Sequence, residues 1–150
     1  MAEYVYNELQ NIGLNSPLLF NNSIPCPRGN VFHNGGDGIF ILRGCTNNCF
    51  ARYRVTYNGN IAVPEGGEVT PLAVAISVNG EPRVTSQAIF TPQAVEEFGN
   101  VTSTAIITVP KGCCFSLSVR YVDATVDDAA VTPTPAIEVQ NSNLVIDRIA

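Results

Sequence analysis

The sequence has no tryptophan, a single lysine and a single histidine, and charged residues make up only 14% of it. Its eight basic residues include no adjacent pair, and the formal net charge is −5. No basic stripe exists that could neutralise a run of phosphates, so we expect no nucleic-acid partner. No apolar run approaches the roughly 18 residues of a membrane-spanning helix. The N-terminus also lacks the cationic and apolar regions of a secretory signal, so we expect no export by that route.

What the sequence has instead is a large apolar fraction, 45%, interrupted throughout by 12 Gly and 10 Pro. A chain of 150 residues can form one domain with its own core, but not comfortably two. Short apolar runs separated by turn residues about every ten positions are typical of an antiparallel sandwich of about nine strands. Asn79-Gly80 is typical of a hairpin turn with positive φ at both residues. The predicted strands lie near 17–24, 38–43, 51–57, 69–78, 84–90, 101–109, 113–122, 136–140 and 143–149.

Two connecting segments do not follow the strand pattern. Residues 91–99 begin with Thr91-Pro92 and end with Gly99, which are preferred at the start and end of a helix. They predict one short helical turn between strands. Residues 123–135 contain three acids without the alternating ligand spacing of a calcium loop, so we expect a solvated loop there.

Some predicted strands carry large residues on one face and small residues on the other, as in Leu72–Val78. A sheet face open to water would normally carry charged or long polar side chains. We therefore predict that the small face is covered by copies of the same chain. The alternative is an ordinary outward face rich in Ser and Ala. The predicted contact residues are Ala73, Ala75, Ser77, Ser116, Ser118 and Tyr121.

The first sixteen residues contain apolar side chains that follow no clear helix or strand period. We therefore predict an N-terminal arm at 1–16, ordered by docking onto something else, followed by a domain at 17–150. Fraying of the terminus is the alternative. The anchoring side chains of the arm would be Tyr4, Tyr6, Leu9, Ile12 and Leu14.

No catalytic, metal or cofactor motif is recognisable. A nucleophile needs a base within hydrogen-bond reach, and His33, the only imidazole, leads into the glycine turn Gly35–Gly38. That turn has no following Lys or helix, so it does not predict a phosphate site. Arg52 and Arg54 lie on one strand face, where an ion pair with a neighbouring subunit is a better interpretation than a grip on a carboxylate or sugar. We predict a protein that is not an enzyme.

The cysteines are odd in number, and two of them are adjacent, which is a poor framework for disulfides. We interpret them as small apolar thiols in a protein assembled in a reducing cytoplasm. A Cys45–Cys49 bridge is an alternative. Zinc binding is disfavoured because there is no Cys-x-x-Cys pair and only one His. The five are Cys26, Cys45, Cys49, Cys113 and Cys114.

Several turn and packing motifs together resemble small virion structural proteins of phages and prophages of gut Firmicutes. That group is similar to the jelly-roll class of tumour necrosis factor (TNF) and C1q head domains, and the resemblance runs from about residue 17 to the end. It implies an all-β antiparallel jelly-roll sandwich that forms a homotrimer around a three-fold axis. The motifs are Ile24–Gly29, Asn60–Gly67, Ala75–Glu81, Asn100–Thr102, Val109–Cys114 and Val139–Leu144.

In virions such trimers serve as head decoration, head fibres or other capsid-attached pieces. The leading hypothesis is accordingly a trimeric virion structural protein without cofactor, held to the major capsid or another virion protein by its arm. The alternative is a TNF/C1q-like adhesion module that binds a host-surface ligand or glycan through its loops. A bacterial surface or spore-coat protein is disfavoured because no collagen-like repeat precedes the domain.

Overall fold

The computed structural model describes residues 2–24, 30–124 and 134–150. These residues form strands and one 3-10 turn, η1. The elements are β1 (Ala2–Tyr6), β2 (Gln10–Gly13), β3 (Asn22–Ile24), β4 (Val31–His33), β5 (Phe40–Arg43), β6 (Phe50–Ala62), β7 (Leu72–Val78), β8 (Glu81–Pro82), η1 (Val84–Ser86), β9 (Ala88–Phe90), β10 (Gly99–Pro110), β11 (Cys114–Val122) and β12 (Ala136–Arg148).

The strands form two antiparallel sheets. Sheet A has the order β10-β6-β12-β1-β3, and β2 continues it by pairing with the start of β12. Sheet B has the order β4-β5-β11-β7-β8, and β9 also pairs with β7. Sequence neighbours such as β5 and β6 lie in different sheets, so the chain crosses between the layers repeatedly. The predicted all-β antiparallel jelly-roll sandwich is confirmed.

The long strands form because their side chains alternate between apolar and polar. In β6, Tyr53, Val55 and Tyr57 are fully buried, whereas Arg52 before them and Arg54 between them are exposed. This period of two places one face of sheet A against sheet B and leaves the other face outward. The core between the sheets contains the largest buried side chains: Tyr53, Tyr57, Tyr121, Phe20, Phe40, Leu18, Leu42, Ile61, Leu72, Ile76, Leu117 and Ile137.

The N-terminal residues belong to sheet A, which corrects the prediction of a separate arm. Residues 2–6 of β1 pair with Ser142–Ile146 of β12, and β2 pairs with Ala136–Val139. Tyr4 lies in the core, where its ring packs edge-on against Phe40 at 4.6 Å. The expectation was wrong because the strand is short, so its period of two covers too few residues to be visible in the sequence.

The helical turn predicted at 91–99 does not form. The Glu97 carboxylate accepts hydrogen bonds from the N–H groups of Gln93 and Ala94 (2.9 and 3.1 Å), as at a helix start. Glu96 then adopts a φ of 61° and donates its N–H to the carbonyl of Val63 instead of to its own turn. A contact with a distant loop therefore replaces the first helical hydrogen bond. The helical element in the described residues is η1, within the predicted strand 84–90.

Other strand boundaries in the structure differ from the predicted ones because of local features of the backbone. The strands predicted at 136–140 and 143–149 are one strand, β12, with a bulge between Gln140 and Asn143. Asn141 at that bulge has a φ of 55°. Most of the acidic loop predicted at 123–135 lies outside the described residues, as does Cys26.

Candidate functional site

The predicted contact residues lie mostly on the outer face of sheet B, and there the chain covers them itself. Arg120 pairs with Ala75, so its side chain lies on the same face of sheet B as the small residues. Its Nε donates to Ser118 Oγ at 3.0 Å, and a terminal nitrogen donates to the Asn15 carbonyl at 2.8 Å. Burial of the small residues within the single chain corrects the reason for expecting a partner there. Each of Ala73, Ala75, Ser77 and Ser118 is at most 2% exposed in the single chain.

Tyr121, in contrast, faces the core. Its hydroxyl donates to the Thr134 carbonyl at 2.7 Å. Burial and the nearby Asp123 carboxylate raise the pKa of Tyr121 to about 12. Ser116 is half-buried at the end of the stripe, and its N–H donates to Asn79 Oδ1 at 3.0 Å. Of the six residues, Ser116 keeps the most surface for a partner.

A shallow depression of about 290 Å³ lies over this face of sheet B, with Ala75 and Val122 in its lining. Arg83 and Gln87 also line it, and Gln87 Nε2 donates to the Asp123 carbonyl at 2.7 Å. On the same strand face, the hydroxyl of Ser77 is buried without a hydrogen-bond partner. The face is therefore a polar-rimmed hollow rather than a bare Ala/Ser surface.

The predicted arm side chains have three different environments. Tyr4 and Ile12 are core residues. Tyr6 and Leu14 are half-buried, and Leu14 packs against the core. Leu9, in the connection between β1 and β2, is 49% exposed. Leu9 is thus the one arm residue with a largely free side chain.

Residues considered for catalysis have structural contacts. The His33 ring stacks on Phe40 at 4.2 Å, and its Nε2 lies 2.7 Å from the Asp37 carbonyl oxygen. Arg54 forms an ion pair with Asp147 of the same chain at 2.9 Å, rather than the predicted ion pair with a neighbouring subunit. No group of three or more His, Cys, Asp or Glu side chains within 2–24, 30–124 and 134–150 could hold a metal ion.

The outer face of sheet A carries the second depression, about 440 Å³, around the Arg54–Asp147 ion pair. Its remaining lining residues are Thr56, Thr104 and Val145. Further along β6 and β10 lies a cluster of exposed amides and a hydroxyl, in which Asn100 Nδ2 donates to Asn58 Oδ1 at 2.7 Å. Asn60 and Thr102 complete the cluster. This face is mainly polar, with the Arg54–Asp147 ion pair among its hydroxyls and amides.

One edge of the sandwich exposes apolar side chains that the sequence interpretation missed. Ile106 lies on β10, the edge strand of sheet A, and is 48% exposed. Val84 of η1 is 77% exposed, and Ile89 of β9 is also exposed. Both elements contact β10, and an Arg83 terminal nitrogen donates to the Ile106 carbonyl at 2.7 Å. Ile89 shares the outer face of sheet B with its pairing partner Ala73, and Ile106 shares the outer face of sheet A with Thr104. We call Val84, Ile89 and Ile106, on the two sides of this edge, the apolar edge. The signal was Ile106 itself, which replaces threonine in the outward series Thr102, Thr104 and Thr108.

The described cysteines are not buried apolar residues. Cys45, Cys49, Cys113 and Cys114 are all exposed free thiols, on two neighbouring connections of the chain.

The comparisons with known proteins concern the fold. No model of a known protein family matches the sequence, nor does any curated protein. Among the described residues, no helix is long and apolar enough to cross a membrane. The globular domain of zebrafish complement 1qA is similar over 95% of this chain and 92% of its own, with a TM-score of 0.57 and 13% identity. The Eiger TNF structure from S. frugiperda is similar over 100% of this chain and 92% of its own, with a TM-score of 0.62 and 10% identity. The chain therefore has the jelly-roll fold of C1q and TNF globular domains.

Proposed function

We propose that this protein is a structural component of a phage virion, a homotrimer of TNF/C1q-like domains attached to the capsid. Three features support the proposal. The turn motifs of the sequence resemble those of small phage virion proteins, the jelly-roll similarity extends over the whole chain, and the surface combines few charges with an apolar edge. The apolar edge is the observation that carries the trimer. Exposed aliphatic side chains on both sides of one edge, Val84 and Ile89 on one side and Ile106 on the other, are an unfavourable surface for a chain that remains alone.

Val84 and Ile89 lie on the sheet B side of the apolar edge, whereas Ile106 stands on the outer face of sheet A, so one chain presents two different surfaces. When the edge of one copy packs against the face of the next, the contact is heterologous, and three copies related by a three-fold axis close into a ring. The depression around Thr56, Thr104 and Val145 offers a recess for the aliphatic side chains of the neighbour. This arrangement replaces the Ala/Ser stripe, which is already covered, as the proposed interface.

The trimer predicts a mass of about 48 kDa in solution, since each chain is 16.0 kDa. Ile106→Asp places an unpaired charge in the proposed interface. We therefore expect the dissociation constant of the trimer to rise at least about 100-fold. Light scattering and analytical ultracentrifugation across micromolar concentrations measure this. Phe32→Asp is the matched control, because Phe32 is also 48% exposed but lies on β4, at the opposite edge of sheet B. A wild-type mass of 16 kDa contradicts the trimer, and a trimeric Ile106→Asp variant contradicts the edge contact.

Attachment to the capsid is proposed to use the exposed connection between β1 and β2. Of the five predicted anchoring side chains, Leu9 is the best candidate, because it is largely exposed whereas Tyr4 and Ile12 are buried in the core. Leu9→Glu is expected to leave a folded trimer that is lost from particles, since the substitution lies at a solvent-exposed site. Peptide mass spectrometry of purified particles, with copy number relative to the major capsid protein, measures both incorporation and position. Hundreds of copies per particle would indicate decoration of the shell, and a handful would indicate a fitting at a vertex or tail. Absence of the wild-type protein from particles contradicts the proposal.

Glycan binding is a second candidate, favoured by the cluster of Asn58, Asn60, Asn100 and Thr102. Amide groups both donate and accept hydrogen bonds, as sugar hydroxyls require. The four side chains bond mainly to one another, however, so several of their donors and acceptors are already engaged without a ligand. Saturable binding of the purified trimer to host cells, together with its absence from heads, would favour this function over the virion role.

A further inference from the structure

Three asparagines in the sequence are followed by glycine: Asn34, Asn58 and Asn79. In an Asn-Gly pair the glycine nitrogen can attack the asparagine side-chain amide, because glycine has no side chain to hinder the approach. A five-membered succinimide ring forms, ammonia leaves, and water then opens the ring to aspartate or isoaspartate. The reaction requires that the asparagine side chain and the glycine nitrogen can move towards each other, and the structure holds the three pairs very differently.

Hydrogen bonds restrain two of the pairs. Asn58 lies in β6, between β10 and β12, and its Oδ1 accepts hydrogen bonds from Asn100 Nδ2 at 2.7 Å and Thr102 Oγ1 at 3.2 Å. Asn79 lies in the turn between β7 and β8, where its Oδ1 accepts the Ser116 N–H at 3.0 Å and its own N–H donates to the Ser116 carbonyl at 2.9 Å. Ring closure at either residue would first have to break these bonds, and at Asn58 it would also have to open paired strands.

Asn34 has neither restraint. It lies in the connection between β4 and β5 and is exposed. No described residue forms a hydrogen bond with its side chain, and the Gly35 N–H has no acceptor within 2–24, 30–124 and 134–150. The Asp37 N–H donates to the Asn34 carbonyl at 3.1 Å, and Gly36 has a φ of 81°, so these four residues form a β-turn with the reacting pair at its first two positions. Of the three pairs, this is the one whose reacting atoms are exposed and unpaired among the described residues.

We propose that Asn34 is a site of spontaneous modification, at which the folded protein converts this asparagine into aspartate and isoaspartate. The Gly35 nitrogen loses its proton and bonds to Cγ of Asn34, the Cγ–Nδ2 bond breaks, and Nδ2 leaves as ammonia. Water then cleaves the ring at one of its two carbonyls: cleavage at Cγ gives aspartate, and cleavage at the backbone carbonyl gives isoaspartate. Each product adds one carboxylate to a chain whose formal net charge is −5. This chemistry does not depend on the virion role.

The isoaspartate product should loosen the turn. Its main chain runs through the former side chain and is one carbon longer, so the hydrogen bond from the Asp37 N–H loses its geometry. The turn also holds the segment before β3, because the Gly36 N–H donates to the Phe20 carbonyl at 3.0 Å and the Phe20 N–H donates to the Asp37 carbonyl at 3.2 Å. Loss of one or two of these bonds predicts a melting temperature lower by roughly 2–8 °C for the isoaspartate form. The aspartate form keeps the original backbone, so it should melt close to the unmodified protein.

The test incubates the full chain in mildly alkaline buffer and follows each Asn-Gly pair by peptide mass spectrometry, which detects the replacement of NH2 by OH. We expect modification at Asn34 to be at least about tenfold faster than at Asn58 or Asn79, since each restrained pair must first break its hydrogen bonds. Isoaspartyl methyltransferase labels the isoaspartate product, and ion-exchange chromatography separates the more acidic forms for thermal melting. In the chain unfolded by urea, the three pairs should react at similar rates, which isolates the effect of the fold.

Gly35→Ala is the matched variant. A Cβ at this position would lie 3.7 Å from the Asn21 carbonyl oxygen, an ordinary contact, so the fold should tolerate it. The added methyl group hinders the attacking nitrogen, and modification of Asn34 should become about tenfold slower at an unchanged melting temperature. Three equal rates in the folded chain, an Asn34 that reacts only after unfolding, or an undiminished rate in Gly35→Ala would each overturn the site. An isoaspartate form that melts with the unmodified protein would overturn the effect on the turn.

Discussion

Deletion of residues 1–16 is expected to unfold the protein rather than to release an intact domain. The deletion removes β1 and β2, which together pair with residues 136–139 and 142–146 of β12. It also removes Tyr4 and Ile12 from the core, a loss of about 5–10 kcal/mol for two large buried side chains. That amount approaches the whole stability of a typical domain, roughly 5–15 kcal/mol.

The truncated chain would in addition expose one side of β12 as a long unpaired edge, so we expect aggregation. Circular dichroism, thermal melting and size-exclusion chromatography of the truncated chain measure these effects. Leu9→Ala is the control within the same segment, and it should change stability by less than about 0.5 kcal/mol because Leu9 is largely exposed. A truncated protein that still melts cooperatively within a few degrees of the full chain would show that the N-terminal strands are dispensable.

This prediction reverses the one that the sequence favours, in which residues 1–16 dock elsewhere and leave a folded domain. The strand pattern of the long strands is visible in sequence because ten or more residues alternate, as they do in β6 and β10. Ala2–Tyr6 has too few residues for that, and its place in sheet A is set by pairing with residues about 140 positions away. Contacts of that separation leave no local signature.

Turn chemistry is where sequence reasoning was most accurate. Asn79 and Gly80 have φ values of 52° and 84°, as the Asn-Gly pair predicted, and they join β7 to β8. The segment 91–99 shows the limit of the same reasoning. Its first residues are of the types preferred at a helix start, but the Glu96 N–H donates to the Val63 carbonyl instead of forming a helical hydrogen bond. A local preference of a few tenths to one kcal/mol is outweighed by one tertiary hydrogen bond.

The candidate surfaces were harder to predict than the fold. The sequence identified the Ala/Ser stripe correctly as a face of small residues, but Arg120, a long side chain on the neighbouring strand, shares that face. Its hydrogen bond to the Asn15 carbonyl depends on the path of the N-terminal segment. The apolar edge likewise requires knowing that β10 is an edge strand of sheet A and that η1 and β9 contact it.

Alkaline pH is expected to destabilise the protein through two buried tyrosines. Burial raises the pKa of Tyr57 far above its ordinary value, against a smaller opposing effect of its hydrogen bond with Ser142 Oγ at 3.2 Å. Burial and Asp123 raise the pKa of Tyr121 to about 12. In the unfolded chain both phenols have a pKa of about 10. Between pH 10 and 12 the unfolded state therefore loses protons that the folded state keeps, so the free energy of unfolding falls as pH rises.

Each of these tyrosines contributes stability that is complete below about pH 10 and is lost at up to about 1.4 kcal/mol per pH unit above it. Together they should remove several kcal/mol by pH 12. Urea unfolding at constant ionic strength from pH 8 to pH 12 measures the slope for the wild type and for a Tyr57→Phe/Tyr121→Phe variant. The variant should be less stable at pH 8, because the Thr134 carbonyl and the Ser142 hydroxyl lose their phenol partners. Above pH 10 its stability should decline much less than that of the wild type, so the two curves converge or cross. Parallel curves over the whole range would mean that these two phenols do not couple folding to pH.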